Sequence, residues 1–377
     1  MSDTAQTPEQ LQQAKEYNRI SLYCDLADMF IDLVFYIVMA FVVAVTLDRH
    51  LRQWVPLENE WLRLAAFFLI MTALHIAVSI PLSFYSGYVI EHRYELSRQS
   101  LGRWFSQYAK AIGLSTVFSL LMIEGLFLVI YLTGDWWWLV AVGPFFLVSV
   151  VAGQLFPVLI MPLFHKTERL EDESLSGRFS GQLEGTRLTI EGIYRWVLSD
   201  DTVKANAALA GLGRTRRVVL ADTLLEEFTH DEIEVVFAHE VGHHVHRHVI
   251  KMLVLGAVFS VAGFWFCELA LSSWVLHVDS ATSYSPLPVY GLPMIVLVLS
   301  IYSMVTQPLT NAISRHHERQ ADRHALKNTD LHEAYCSAFS KLATQNKADP
   351  DPHPLEVFLF HSHPPIKARL AMAKTTR

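Results

Sequence analysis

The chain has 377 residues, of which 52% are hydrophobic and only 18% charged, with a mean hydropathy of +0.27 and a formal net charge of −7. Charge this sparse cannot coat a water-soluble globule, so the excess apolar surface must face a bilayer. The acids and bases sit in a few segments and build no basic face, which argues against a nucleic-acid partner, and Cys24, Cys267 and Cys336 lie too far apart in sequence to suggest a disulfide framework or a thiolate metal site.

In chain order, the first 18 residues are polar and carry no cleavable leader pattern, so the first apolar stretch is expected to stay as an anchor. That stretch covers 33–47 with 29–32 leading in. Further stretches at 64–84, 112–132, 139–163, 252–275 and 290–309 bring the expected spans to six. Of the 30 Lys and Arg, only Arg49, Arg52 and Arg63 fall on the outer side if the N-terminus is inside, so both termini and the large soluble segments are expected in the cytoplasm. Trp136, Trp137 and Trp138 on an outer loop suit an interfacial belt or a packed cluster. Asp32, His75, Glu124 and Glu268 fall inside spans, where they should line an enclosed chamber or bond helix to helix.

The expected organisation is an N-terminal membrane region of four spans (1–164), a first soluble part (165–250), a membrane hairpin (251–310) and a second soluble part (311–377). Within the first soluble part, strand-like runs occur at 193–198 and 217–220, with Gly211 and Gly213 marking a turn between them. Thr229 and Glu232 then form a capping box that opens a helix, and apart from Gly242 no Gly or Pro interrupts it before the fifth span.

On that helix lies His239-Glu240-Val241-Gly242-His243. Two imidazoles four residues apart share one helix face and can bind one cation, with the intervening glutamate beside the open coordination position; this is the zinc-metalloprotease arrangement. His244, His246 and His248 follow on the same predicted helix and read as solvated or supporting residues. A third ligand is needed, and the position six residues after His243 is Val249, so a glutamate on another helix is the alternative. Glu318 meets that need, with Asp322 one turn later able to accept the second ring proton of a ligating histidine. Glu318 and His243 each lie nine residues from the nearest span, about 14 Å if both helices run straight. A solvated charged helix face would be the plainer reading of Glu318 and Asp322 without the H-E-x-x-H motif, but the matched depth favours a shared metal.

Asn206-Ala207, then 218–225, then His239 to His243 with His248, then Asn311-x-x-Ser314-Arg315-x-x-Glu318-x-x-Ala321-Asp322, and finally His363-Pro364-Pro365-x-x-x-Arg369 together resemble the integral-membrane zinc endopeptidases related to type I CAAX prenyl protease. Segments 157–164 and 89–91 are similar to the family's as well. The resemblance implies a mainly α, polytopic membrane protein with a cytoplasmic zincin-like α+β catalytic domain of the gluzincin type. It implies one Zn2+ on His239, His243 and Glu318, Glu240 as the catalytic base, and Asp322 as a supporting residue. It further implies that Asn206 binds an extended substrate beside an edge strand, and that His363 and Arg369 face the cleft as a catalytic donor and a substrate-binding cation. Without the resemblance, Asn206 reads equally well as a turn residue, and His363 and Arg369 as part of a surface loop and helix.

Two substrate readings follow, membrane-protein quality control and C-terminal processing of prenylated C-a-a-X proteins. The ending Lys374-Thr375-Thr376-Arg377 lacks a lysine-rich retrieval signal and leans towards the first, in a bacterial inner membrane rather than an endoplasmic reticulum. The partners expected are a peptide or protein substrate and the lipid bilayer. A metal transporter is the rival from another class, because histidine-rich loops and intramembrane acids occur there too, but transporters place their coordinating residues near the bilayer midplane.

Overall fold

The computed structural model describes residues 6–54, 59–186, 188–211, 216–279 and 287–375. Six helices among them are long and apolar enough to cross a membrane. They are α1 (Pro8–Gln53), α2 (Glu60–Arg93), α3 (Leu101–Val140) and α4 (Val142–Phe164), then α8 (His248–Asp279) and α9 (Leu292–Thr329). Thr7 opens α1 with a capping box and Pro8 at its first turn. Three spans contain a π-helical turn, at Met39–Val43, Tyr85–Ile90 and Phe156–Ile160, the last around Pro157.

Phe67, Ile130, Trp137, Cys267, Leu271 and Leu292 form the packed centre of the bundle. The three consecutive tryptophans divide: Trp137 is fully buried and its Nε1–H donates to Glu268 Oε2 at 2.5 Å, whereas Trp136 is 65% exposed. His75 Nε2 lies 2.7 Å from Asp32 Oδ1, joining α1 to α2. These two pairs bond helix to helix, and none of their residues belongs to the wall of the catalytic cavity described below.

The extramembrane elements lie between α4 and α8 and after the span in α9. Four strands, β1 (Thr167–Arg169), β2 (Gly192–Trp196), β3 (Ala207–Ala210) and β4 (Arg217–Ala221), form one sheet in the order β1-β2-β4-β3. β2 and β4 pair in parallel, and both outer pairings are antiparallel, which leaves β3 as an edge. β2 and β4 coincide with the two strand-like runs of the sequence. Gly211 ends β3 at φ 93°, a backbone conformation natural to glycine, and Gly213 lies outside the described residues.

The helices here are α5 (Glu173–Leu183), α6 (Asp222–Glu227), α7 (His230–Val245), α10 (His332–Gln345), α11 (Pro354–Phe360) and α12 (Ile366–Thr375). Phe179 of α5 stacks on Phe237 of α7 at 4.0 Å within a cluster that includes Val218 and Leu220 of the sheet. On its other side α7 packs Val235 and Ala238 against Tyr335 and Phe339 of α10. The catalytic-motif helix is thus buried between sheet and helices, and few of its side chains are free to move. The strand leading into β3 is held as firmly: Asn346 accepts from Ala205 N at 2.9 Å and donates to Ala205 O at 3.2 Å, while Lys204 Nζ reaches Glu91 Oε2 at 2.8 Å.

One expectation is corrected. The helix bearing the H-E-x-x-H motif does not run into the fifth span; it stops at Val245, and a new helix begins at His248. Arg247 between them adopts a left-handed conformation with φ 56°, so the axis breaks without Gly or Pro. His248 is therefore not on the motif helix, and the straight-helix estimate of depth does not apply on this side.

Candidate metal centre

Helix α7 starts where its capping box directs. Thr229 Oγ1 accepts from Glu232 N at 3.3 Å, and Glu232 Oε2 accepts from Thr229 N at 2.8 Å. Glu232 also receives Lys341 Nζ at 2.8 Å and the Ser337 hydroxyl, both from α10. Burial pushes this carboxyl up, but the Lys341, Ser337 and Thr229 hydrogen bonds outweigh it and hold the group below its usual range. The cap is thereby also a weld to α10.

Nine residues beyond the start of α7 and one turn apart, His239 and His243 turn Nε2 towards each other at 3.2 Å. Glu318, on the part of α9 that continues beyond its apolar span, completes a triangle of residues. Its Oε2 is 3.3 Å from His239 Nε2, and its Oε1 is 3.2 Å from His243 Nε2. Tetrahedral zinc with bonds of about 2.0–2.1 Å separates neighbouring ligand atoms by roughly 3.3 Å; the two imidazole nitrogens stand at that spacing, and Glu318 presents one carboxylate oxygen to each of them. Among the described residues this is the one group of three or more potential ligands close enough to share a cation. Burial opposes charge on His239, yet Asp322 and Glu318 override it and raise its pKa to about 9, so the pocket is electrostatically arranged for a positive guest.

Gly242 makes this approach possible. A Cβ there would stand 3.0 Å from Ala321 Cα and 3.0 Å from His324 Cβ, so α7 and α9 cross with backbone nearly in contact. Behind the ligands, His239 Nδ1 meets Asp322 Oδ1 at 2.9 Å, which holds the Nδ1 proton on that side and aims Nε2 at the site. Asp322 is fully buried and engaged by Arg369, whose Nε donates to Oδ2 at 3.0 Å while its guanidinium lies 3.7 Å from the Phe339 ring centre.

This placement corrects the expected role of Arg369. It is buried behind His239 and engaged by Asp322, and it does not line the cavity that His239, Glu240 and Glu318 share. His363 does come to the cleft, 65% exposed, with Nδ1 2.9 Å from Glu318 Oε2. Glu240 opens into the same cavity, of about 800 Å³, together with Phe145 and Ser149 of α4 and Met252 and Phe264 of α8. A second cavity of about 500 Å³ shares Phe145, Ser260 and Phe264 with it and continues between α3, α8 and α9. Space thus runs from the metal centre into the membrane bundle.

Asn206 stands just before β3, exposed, and its carbonyl accepts from Ala221 N at 2.9 Å. The structure sets it on a different cavity of about 520 Å³, and the residue of β3 that reaches the catalytic cavity is Leu209. Of the residues singled out in the sequence, His239, Glu240, His243, Glu318 and His363 are brought together around one space; Asp322 and Arg369 stand behind it and Asn206 to one side. Phe339 and the close helix contact at Gly242 have no signature in the sequence, because a lone aromatic and a lone glycine carry no spacing signal.

Comparison with known proteins now bears on this geometry. The profile described as Peptidase family M48 matches residues 170–377. The chain belongs to this family. Residues 3–166 match a second profile, described as CAAX prenyl protease N-terminal, five membrane helices; among the described residues of this region four helices are long and apolar enough to cross a membrane. It is 25% identical to an uncharacterised metalloprotease of Bacillus subtilis over 97% of the chain and 86% of that protein. It is 27% identical to CAAX prenyl protease 1 of Saccharomyces cerevisiae over 80% of the chain and 70% of that protein. The crystal structure of S. mikatae Ste24p has the same fold, with a TM-score of 0.83 at 23% identity, covering 97% of this chain and 89% of that one. The protein is accordingly a membrane metalloendopeptidase of M48 type related to CAAX prenyl protease, and nothing supports the transporter reading.

Proposed function

We propose that His239, His243 and Glu318 hold one zinc ion and that Glu240 is the base of a peptide-hydrolysing site. The observation that carries this reading is the convergence of the His239 and His243 Nε2 atoms and the two Glu318 oxygens, at 3.2–3.3 Å contacts, on the cavity that Glu240 also lines. A bound zinc would supply Lewis acidity towards a carbonyl oxygen and acidify water. Glu240 takes the proton of the attacking water and returns it to the leaving amine. His363, exposed beside Glu318, donates to charge that develops on the carbonyl oxygen. The free edge of β3 takes an extended substrate by backbone pairing, with Asn206 at its entry. The soluble parts 165–250 and 311–377 form one catalytic domain, placed in the cytoplasm by the scarcity of Lys and Arg on the opposite side.

For substrate we favour unfolded segments of membrane proteins. An edge strand selects extended backbone rather than particular side chains. The cavity continuing among α3, α8 and α9 has room for an apolar stretch beside the scissile bond. Processing of prenylated C-terminal peptides is the second reading, favoured by the relatives named CAAX prenyl protease 1 and by the same apolar cavity. Metal analysis and cleavage of an unfolded membrane-protein reporter and a farnesylated C-a-a-X peptide, by wild type and Glu240→Gln, test the proposal. The substitution should keep zinc and lose hydrolysis by orders of magnitude. A metal-stripped enzyme that still cleaves would end the zinc reading, and cleavage of the farnesylated peptide alone would reverse the choice of substrate.

A further inference from the structure

Each ligating histidine has a second ring nitrogen, and what that nitrogen meets decides whether Nε2 can bind a metal. For His239 the partner is the Asp322 carboxylate, an acceptor in any state of ionisation that the ion pair with Arg369 permits. For His243 the partner is another histidine. His243 Nδ1 lies 3.1 Å from His248 Nδ1, and His248 Nε2 lies 2.8 Å from Gln320 Oε1. Gln320 Nε2 in turn lies 3.1 Å from His316 Nε2.

This chain of contacts has a direction. An amide oxygen only accepts, so His248 must carry its proton on Nε2 and present Nδ1 as an acceptor. His243 then donates from Nδ1, and its Nε2 is left as a lone pair facing His239 Nε2 and Glu318. Reversal would be ruinous. If the amide turned its N–H2 group to His248, the protons would shift along the row and one would sit on His243 Nε2, where the metal has to be. At its other end the amide N–H2 group donates to His316 Nε2 in the tautomer that leaves that nitrogen unprotonated, so the orientation with Oε1 towards His248 satisfies both ends of the amide. His248 is itself held: it is 3% exposed and stacks on His317 at 4.2 Å with the rings 12° from parallel.

We propose that His248 and Gln320 are positioning residues that set the tautomer of His243 and so keep the metal site open. The helix break gives the arrangement its sense. A continuous helix would carry His248 round the axis away from His243, whereas the left-handed Arg247 turns the chain and brings the His248 ring back to 3.1 Å. Helix α9 thus supports both histidines as well as supplying a ligand: Glu318 faces the metal, Gln320 steers His243 through His248, and Asp322 steers His239 directly.

The inference rests on His243 being a ligand, as proposed above, and the experiment separates the two. Zinc affinity of detergent-purified full-length protein is measured by competition with a chelator for wild type, His243→Ala, His248→Asn, His248→Leu, Gln320→Glu and Gln320→Lys, with thermal unfolding of each metal-free form. Asparagine puts an acceptor oxygen where Nδ1 was, and leucine fills space without one. Glutamate can only accept, and lysine can only donate. His248→Leu and Gln320→Lys should weaken zinc binding by about 10- to 100-fold, the usual cost of losing a ligand's outer partner. His248→Asn and Gln320→Glu should stay close to wild type. Equal losses for both members of either pair, or no loss in any of the four, would overturn the inference. If leucine at 248 does not fold, the Gln320 pair decides alone. Zinc affinity unchanged in His243→Ala would instead overturn the ligand reading itself.

Discussion

Gly242 shows how much can rest on a missing side chain. Because a Cβ would lie 3.0 Å from backbone of α9, Gly242→Ala forces the two helices apart at the level of the metal. Alanine is the better helix former by about 1 kcal/mol, but overpacking a rigid contact costs about 1–3 kcal/mol. We expect lower thermal stability of the metal-free protein and weaker zinc binding, read by unfolding and chelator competition. The pair His363 and Arg369 behaves oppositely at its two ends. His363→Ala should keep zinc and fold and lose about 2–4 kcal/mol of transition-state stabilisation, seen in kcat/KM. Arg369→Met strips the fully buried Asp322 of its counter-charge, and should destabilise the protein by about 3–5 kcal/mol and weaken zinc binding. Near-wild-type stability in Arg369→Met would return that residue to a lesser role. The sequence made this pair legible as a motif but could not orient it, since a six-residue spacing says nothing about which wall of a site the second side chain enters.

At the scale of elements, the strands and the capped helix were legible because their signals are local. Thr229 and Glu232 satisfy each other within one turn, and β2 and β4 are short apolar runs. The end of α7 was not, because 243–249 contains no Gly or Pro and keeps helical spacing throughout. What breaks it is one residue in the left-handed region, a choice made by tertiary contacts of His246 and His248 with α9. Arg247→Gly should therefore be neutral or stabilise by up to about 1 kcal/mol, since glycine adopts that conformation without a Cβ clash. A marked loss of stability would mean that the arginine side chain, not the backbone, makes the turn. Edge strand β3 was visible only through the family resemblance, because Ala207, Ala208 and Ala210 carry no strand pattern.

For the whole molecule, hydropathy located six spans and the charge asymmetry gave an orientation, as each reflects bulk partitioning rather than detailed packing. The cavity reaching from the metal centre into the bundle was not readable, since an apolar wall facing empty space and one facing lipid have the same composition. Orientation has a direct test. A cysteine in place of the exposed Gly181 should resist an impermeant alkylating reagent in intact cells and react once the membrane is opened. Two of the three natural cysteines are buried, which limits the background.

Helix α9 runs unbroken for 38 residues from Leu292 to Thr329, with Pro308 inside it. Its first half is the apolar span, and its second half carries Glu318, which completes the triangle of candidate ligand residues. Glu318 lies ten residues beyond Pro308, a lever arm of about 15 Å. Flexing by about 5° at that proline would move the carboxylate by roughly 1 Å, enough to open the triangle and to cost on the order of 100-fold in rate. We therefore expect zinc affinity and hydrolysis to change with bilayer thickness, which reconstitution into vesicles of different acyl-chain length measures.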